Sequence, residues 1–346
     1  MNKTTKSIIQ FVIFLFLGLL ILYLSYRNFS NDYLEDCALK GIPESECSLL
    51  DKLIEDFKTA NYFWIFVIIG LFMVSNVFRA LRWKQLLEPL GYKPQFVNLL
   101  GATMVGYLAN LGLPRMGEII KPGILTKYEK IPIEKGIGTI VIDRILDVLS
   151  LLVVIAIAFF LSFSTFQAYF EENFSVERAQ SLQILGVLAV LGIIGIFILN
   201  RIISNRNLKH PVLKKIKELW TGFYAGLLSV RNVKNKPLLI LYSIGIWLMY
   251  YLMTYLCFSA YAPTAHLGMV AGLVVFVFGT LGIVFPSPGG MGSYHVLVTQ
   301  ALIIFGLNEV EAFSFSNIIF FAIQIFGNIV FGLIFLILLP IFNKNE

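Results

Sequence analysis

From Pro237 to Asn308 the chain runs 72 positions without one Asp, Glu, Lys or Arg. A soluble core has no use for so long an uncharged stretch. A membrane does, because a helix crosses the hydrocarbon on about 20 apolar residues with its backbone groups bonded internally. Further uncharged runs cover residues 8–26, 59–78, 95–114, 148–170, 179–200 and 312–343. Only 14% of the 346 residues are charged, against roughly 25% in soluble domains, which excludes an ordinary cytoplasmic enzyme. The fold class is therefore an all-α polytopic membrane protein, with residues 1–346 forming a single transmembrane domain.

The distribution of charge orients the chain. Nine Lys/Arg and one acid, Glu218, lie between Asn200 and Lys236, whereas residues 27–58 hold four Lys/Arg and eight acids. That asymmetry follows the positive-inside rule, so the net charge of +6 does not point to a nucleic-acid partner. Lys3 and Lys6 precede an apolar core with no small-residue cleavage site before Tyr26 and Arg27, so residues 8–26 read as a first span. The expected location is the plasma membrane (the inner one where there are two), multi-pass, with both termini cytoplasmic. Cys37 and Cys47, with nine residues between them in the acidic external loop 27–60, are a disulfide candidate; two unpaired thiols are the alternative.

Parity sets the spans. About six full crossings are expected: 8–26, 61–78, 137–161, 182–200, 237–261 and 312–341. Arg79, Arg82 and Lys84 mark an inner end, and 114–135, with five Lys/Arg and three acids, is inner too. The first re-entrant region, 96–123, therefore enters and leaves on one face. The second, 268–306, does the same from the opposite face, broken at FPSPGGMGSYH where prolines and glycines stop a helix. Twelve of the 27 glycines fall in 96–123 and 268–292. Two opposed re-entrant helical hairpins imply an inverted repeat, the plan of many secondary transporters. The cytoplasmic loop 200–236 carries an interfacial amphipathic helix, with Val212, Leu213, Ile216, Leu219, Trp220, Phe223 and Leu227 on one face.

Charges at membrane depth are functional candidates. In NLGLPRMGEIIKPG, a helix starting after Pro114 places Arg115, Glu118 and Lys121 at i, i+3 and i+6. Free N–H groups at such a terminus attract anions, and an Arg there suits a phosphate. In the next span Asp143 and Asp147 sit one turn apart with Arg144 between them. Two readings are open for these residues: an internal salt-bridge network holding a broken helix, or contact with a substrate. His295, after the second break, reads either as a hydrogen-bonded structural residue or as a gating, proton-handling or headgroup residue. There is no nucleophile elbow, P-loop or HExxH, and no metal-ligand spacing; no cofactor or metal is expected.

RALRW at 79–83, N-x-x-x-P-R-x-G-E at 110–118, DRILD at 143–147 and P-x-P-G-G-x-G at 286–292 resemble the lysylphosphatidylglycerol synthase transmembrane family. This flippase-like family includes the membrane half of the multiple peptide resistance factor. The resemblance covers nearly the whole chain. It implies that Asn110, Pro114, Arg115, Gly117, Glu118 and Asp147 belong to a polar cavity motif; Lys121, Asp143, Arg144 and His295 are substrate-binding candidates on the reading of the residues above. Pro288, Gly289, Gly290 and Gly292 are the matching backbone candidates at the second break. Lys121 stands where an Arg is usual, Asp143 where a Glu is usual, and His295 where an acid is frequent. No soluble aminoacyl-transferase domain follows the last span, so synthesis of the aminoacyl lipid is not expected. The implied function is that of a lipid flippase moving a phospholipid or lipid-linked headgroup between leaflets, and not that of an enzyme. Its expected partners are anionic or phosphate-bearing membrane lipids, and a second copy of the chain or a lipid-synthesising enzyme. The alternatives are a non-transporting lipid-binding partner of an envelope enzyme and a polyprenyl-phosphate-dependent glycosyltransferase.

Overall fold

The computed structural model describes residues 3–39, 41–43, 47–112, 115–165, 167–168, 233–284 and 287–344. The expected span 182–200, the interfacial helix 212–227, most of the loop 200–236, and Pro114 lie outside them. Among the described residues every regular element is a helix: α1 (Lys3–Leu39), α2 (Leu49–Thr59), α3 (Tyr62–Leu87), α4 (Phe96–Gly112), α5 (Gly117–Glu129), α6 (Ile133–Leu161), α7 (Lys236–Cys257), α8 (Met269–Val284), α9 (Ser293–Ile303), α10 (Glu309–Phe320) and α11 (Asn328–Phe342). A π-helical segment, Phe321–Gly327, joins α10 to α11, an irregularity frequent at functional sites.

Four continuous helical stretches are long and apolar enough to cross a membrane: Tyr62–Leu90, Ile133–Leu161, Lys236–Ala260 and Glu309–Phe342. They match four of the expected spans, and 8–26 lies within α1. The chain is a multi-pass membrane protein. Large side chains such as Phe63, Phe66, Phe160 and Ile337 remain exposed on it, as apolar solvent requires.

The segment 27–60, expected as a loop, is largely helical: helix α1 continues to Leu39 and α2 fills Leu49–Thr59. Leaving hydrocarbon does not end a helix, and residues 27–39 contain neither Gly nor Pro to stop it. Phe29 anchors this extension against Phe313, with ring centroids 4.8 Å apart. A disulfide joins Cys37 to Cys47, tying the end of α1 to the start of α2. Ser48 caps α2 by accepting from the Asp51 N–H. Asp56 then docks α2 on the body: it is buried, accepts from Lys52 Nζ at 2.6 Å, and accepts from the Tyr261 hydroxyl at 3.1 Å. Burial, followed by the Asp56 carboxylate, pushes the Tyr261 hydroxyl well up in pKa, so it stays a donor. Asp56→Ala strips both donors of this acceptor and is expected to cost about 1–3 kcal/mol, read as a lower Tm in detergent.

Helices α4 and α5 fold back on each other, as do α8 and α9. Small residues let these backbones approach, as in membrane helix packing generally. A Cβ on Gly117 would lie 2.3 Å from the Gly106 carbonyl oxygen, and one on Gly282 would lie 2.6 Å from Tyr294 Cα. Between α8 and α9 the chain turns through Gly289, Gly290 and Gly292, all at positive φ, where side-chain-bearing residues are strained. The two turns are neighbours. Space for a Cβ on Gly289 is bounded by Leu111 Cδ2 at 3.3 Å, near the end of α4.

Candidate functional site

Charged residues of two helices, joined by hydroxyls of a third, converge in one buried ring. Arg79 and Arg82 stand three apart on α3, and Asp143 and Asp147 four apart on α6, so each helix presents two charges on one face. Arg79 Nη1 donates to Asp143 Oδ2 at 3.1 Å and to Asp147 Oδ2 at 2.9 Å. Arg82 Nε donates to Asp143 Oδ1 at 2.8 Å, and its Nη2 to Asp147 Oδ1 at 2.6 Å. Each carboxylate thus spends one oxygen on each guanidinium. Helix α7 closes the ring, with Tyr250 accepting from Arg79 Nη2 and Ser243 from Arg82 Nη1, both at 3.2 Å. Arg82 is fully buried, and Arg79 and Asp143 nearly so. The mutual pairing offsets the cost of desolvating four ions, a cost that is severe for any one of them left alone.

Beside the ring lies a cationic annex that is not neutralised. Arg144 is 40% exposed; its Nη1 reaches Asp147 Oδ2 at 3.5 Å, and its Nε lies 3.6 Å from Glu118 Oε1. Glu118, 43% exposed, sits in the first turn of α5. One turn on, Lys121 is buried at 5% exposure with Nζ 4.3 Å above the Tyr107 ring. Among the described residues no carboxylate pairs with Lys121. The buried Nε of Arg79 likewise has no hydrogen-bond partner among the described residues, and that of Arg144 has only its 3.6 Å ion pair with Glu118. Arg79, Arg82, Arg144 and Lys121 therefore face Asp143, Asp147 and Glu118, four basic side chains to three carboxylates. Arg115 adds a fifth at the exposed end, without an ion pair among the described residues.

The backbone around the annex is set by Asn110. Its side-chain oxygen accepts from the Gly117 N–H at 2.7 Å, supplying from α4 a cap for the start of α5. Helix α5 begins at Gly117, two residues after Arg115, and Arg115 itself holds a left-handed φ of 67°. The expectation that Arg115 forms the first helical residue is corrected accordingly: it occupies the turn that precedes α5.

Of the sequence candidates, Asn110 and Gly117 are joined directly, and Glu118, Arg144, Asp147 and Asp143 form one chain of charge beside Lys121. His295 stands apart. It is 2% exposed, packs its ring 4.5 Å from Phe320, and accepts at Nδ1 from the Gly292 N–H at 3.3 Å. Among the described residues nothing bonds it to the charged ring. Gly289, Gly290 and Gly292 shape the turn beneath it, and Pro288 belongs to the same turn. Arg79, Arg82, Tyr107, Ser243 and Tyr250 were not among the candidates. A signal was present for the two arginines: their spacing complements that of Asp143 and Asp147.

Residues 49–332 match the family described as the lysylphosphatidylglycerol synthase transmembrane region. The chain is 27% identical over 172 residues to UPF0104 membrane protein MJ1595 of Methanocaldococcus jannaschii, covering 49% of this chain and 48% of that one. It is 25% identical over 233 residues to UPF0104 membrane protein MJ1078 of the same organism, covering 66% of this chain and 94% of that one. A shorter match, 27% over 82 residues, covers 23% of this chain and 13% of glycosyltransferase AglD of Haloferax volcanii. The chain thus spans about half of MJ1595 and a small part of AglD. No solved structure matches it. With the match running from α2 into α11 and enclosing the whole charged ring, the chain belongs to the lysylphosphatidylglycerol synthase transmembrane-region family.

Proposed function

We propose that this protein is a lipid flippase of the plasma membrane, both termini cytoplasmic, that moves a phosphate-bearing headgroup between leaflets. In this reading α4–α5 and α8–α9 are opposed re-entrant hairpins of an inverted repeat within about six full spans, and the headgroup passes between them while acyl chains stay in lipid. The observation that carries the reading is the buried amine of Lys121, paired with no described carboxylate, near Arg79, whose buried Nε has no hydrogen-bond partner among the described residues. Burying surplus cation is costly unless a counter-anion arrives, and a phosphate offers oxygens that guanidinium and ammonium groups both bind. The neighbouring Leu111 and Gly289 support the reading by bringing the two turns together.

The likeness to glycosyltransferase AglD favours one second reading, sugar transfer from a polyprenyl phosphate. That chemistry requires a carboxylate base, and Asp143 and Asp147 are both committed to arginines. Only Glu118 is half-exposed, which makes transport the better fit.

The test is leaflet exchange of labelled anionic and zwitterionic phospholipids in proteoliposomes, with product analysis after addition of a polyprenyl-phosphate sugar. Exchange without covalent change is expected, reduced by about tenfold or more in Arg115→Ala and Glu118→Ala, on the scale of one charge-assisted contact. Sugar turnover without exchange would overturn the flippase reading.

A further inference from the structure

Lys121 crosses α4 at Gly106, where a Cβ would lie 2.7 Å from its Cε and Cγ, so glycine leaves the groove in which the stem runs. The amine ends over Tyr107 of α4. The charged groups that bear on it are Arg79 of α3, and Asp143, Arg144 and Asp147 of α6. Glu118 lies one turn back on its own helix, and the Tyr250 hydroxyl of α7 is held by Arg79. Both aspartates already bind both ring arginines, and Glu118 leans toward Arg144. An ammonium there has one aromatic face as its partner and two guanidiniums as neighbours.

A buried amine in that setting is better off neutral, whereas a bound phosphodiester supplies the missing counter-charge. We propose that Lys121 couples the site to protons: without an anion beside it the amine is neutral, and an arriving phosphodiester anion brings one proton onto Nζ. The step balances. A proton from bulk water, admitted past the exposed rim of Arg115, Glu118 and Arg144, forms an N–H bond with the Nζ lone pair, and the anion's charge is cancelled. Lysine performs this and arginine does not, because a guanidinium keeps its proton. Anion and proton then cross together without net charge, and a pH difference across the membrane sets the favoured direction. The inference rests on the phosphate-headgroup reading above.

The experiment is calorimetric titration of the full chain in detergent with dihexanoyl phosphatidylglycerol, whose phosphodiester does not titrate near neutrality. It is run in two buffers of low and high ionisation enthalpy, from about pH 7 to about pH 9, where an ordinary lysine stays charged. Uptake of about one proton per lipid is expected, with affinity falling about tenfold per pH unit. Lys121→Arg is expected to bind with no proton uptake and a flat pH profile. Wild-type binding without proton uptake, or equal uptake by Lys121→Arg, overturns the coupling while leaving the headgroup site standing. Absence of lipid binding at every pH overturns both. Should Lys121→Arg fail to fold, the proton count and pH slope of the wild type decide alone.

Discussion

Replacing Arg82 with Met is expected to lower stability by about 3–5 kcal/mol, the largest effect of any single change in the described residues. Arg82 is 0% exposed and bonds both aspartates, Ser243 and the Asp143 carbonyl. Its removal leaves two buried carboxylates sharing Arg79, which already has one guanidinium face turned to Tyr250. Methionine fills much of the volume, so the loss measures uncompensated charge more than cavity. Adding Asp143→Leu removes one of those carboxylates and restores a single pair, Arg79 with Asp147. The double variant is expected to recover much of the loss, since apolar replacements of buried ion pairs are often neutral. Thermal unfolding in detergent reads both. A double variant no more stable than the single would show that packing, and not charge balance, governs the ring.

Gly117→Ala is the second large effect. Its new methyl would meet the Gly106 carbonyl oxygen at 2.3 Å and Asn110 Oδ1 at 2.9 Å, and neither is the free end of a flexible chain. Helices α4 and α5 must part, and the Asn110 cap on the Gly117 N–H is lost with them. Overpacking and the lost hydrogen bond together are expected to cost about 2–4 kcal/mol. Gly123 is the control on the same helix. Nothing lies within 4 Å of its missing Cβ and its φ is unexceptional, so Gly123→Ala is expected to stabilise by about 0.5–1 kcal/mol. Equal behaviour of the two would remove the close approach as the reason for Gly117.

Much of this arrangement was legible in the sequence because charge inside an apolar run has few explanations. Asp143 and Asp147 stood out for that reason. Arg79 and Arg82 did not, since a basic pair at the inner end of a span is already accounted for by topology, and the same residues serve the ring. Tyr107, Ser243 and Tyr250 carry no net charge, and nothing in their local sequence separates them from other lipid-facing or core residues. The end of α1 was misplaced because the end of hydrocarbon was taken for the end of helix. The start of α5 was placed two residues too early because Pro at a helix start is common, whereas here a side chain from α4 caps the helix at Gly117. The π segment Phe321–Gly327 adds no Gly, Pro or charge pattern that a sequence displays before its own end. His295 drew notice as an ionisable residue in apolar surroundings, and its partner proved to be a backbone N–H in its own turn.

Arg79, Arg82, Asp143 and Asp147 hold three helices together, and on the proposed function Lys121 beside them is the residue that meets the ligand. The most direct measurement is headgroup exchange by Lys121→Met in proteoliposomes, taken beside its Tm. A neutral side chain of similar length in the Gly106 groove is expected to leave the stability within about 1 kcal/mol of the wild type, with little change in Tm, while exchange falls about tenfold or more. Wild-type exchange in a folded Lys121→Met protein would contradict the account.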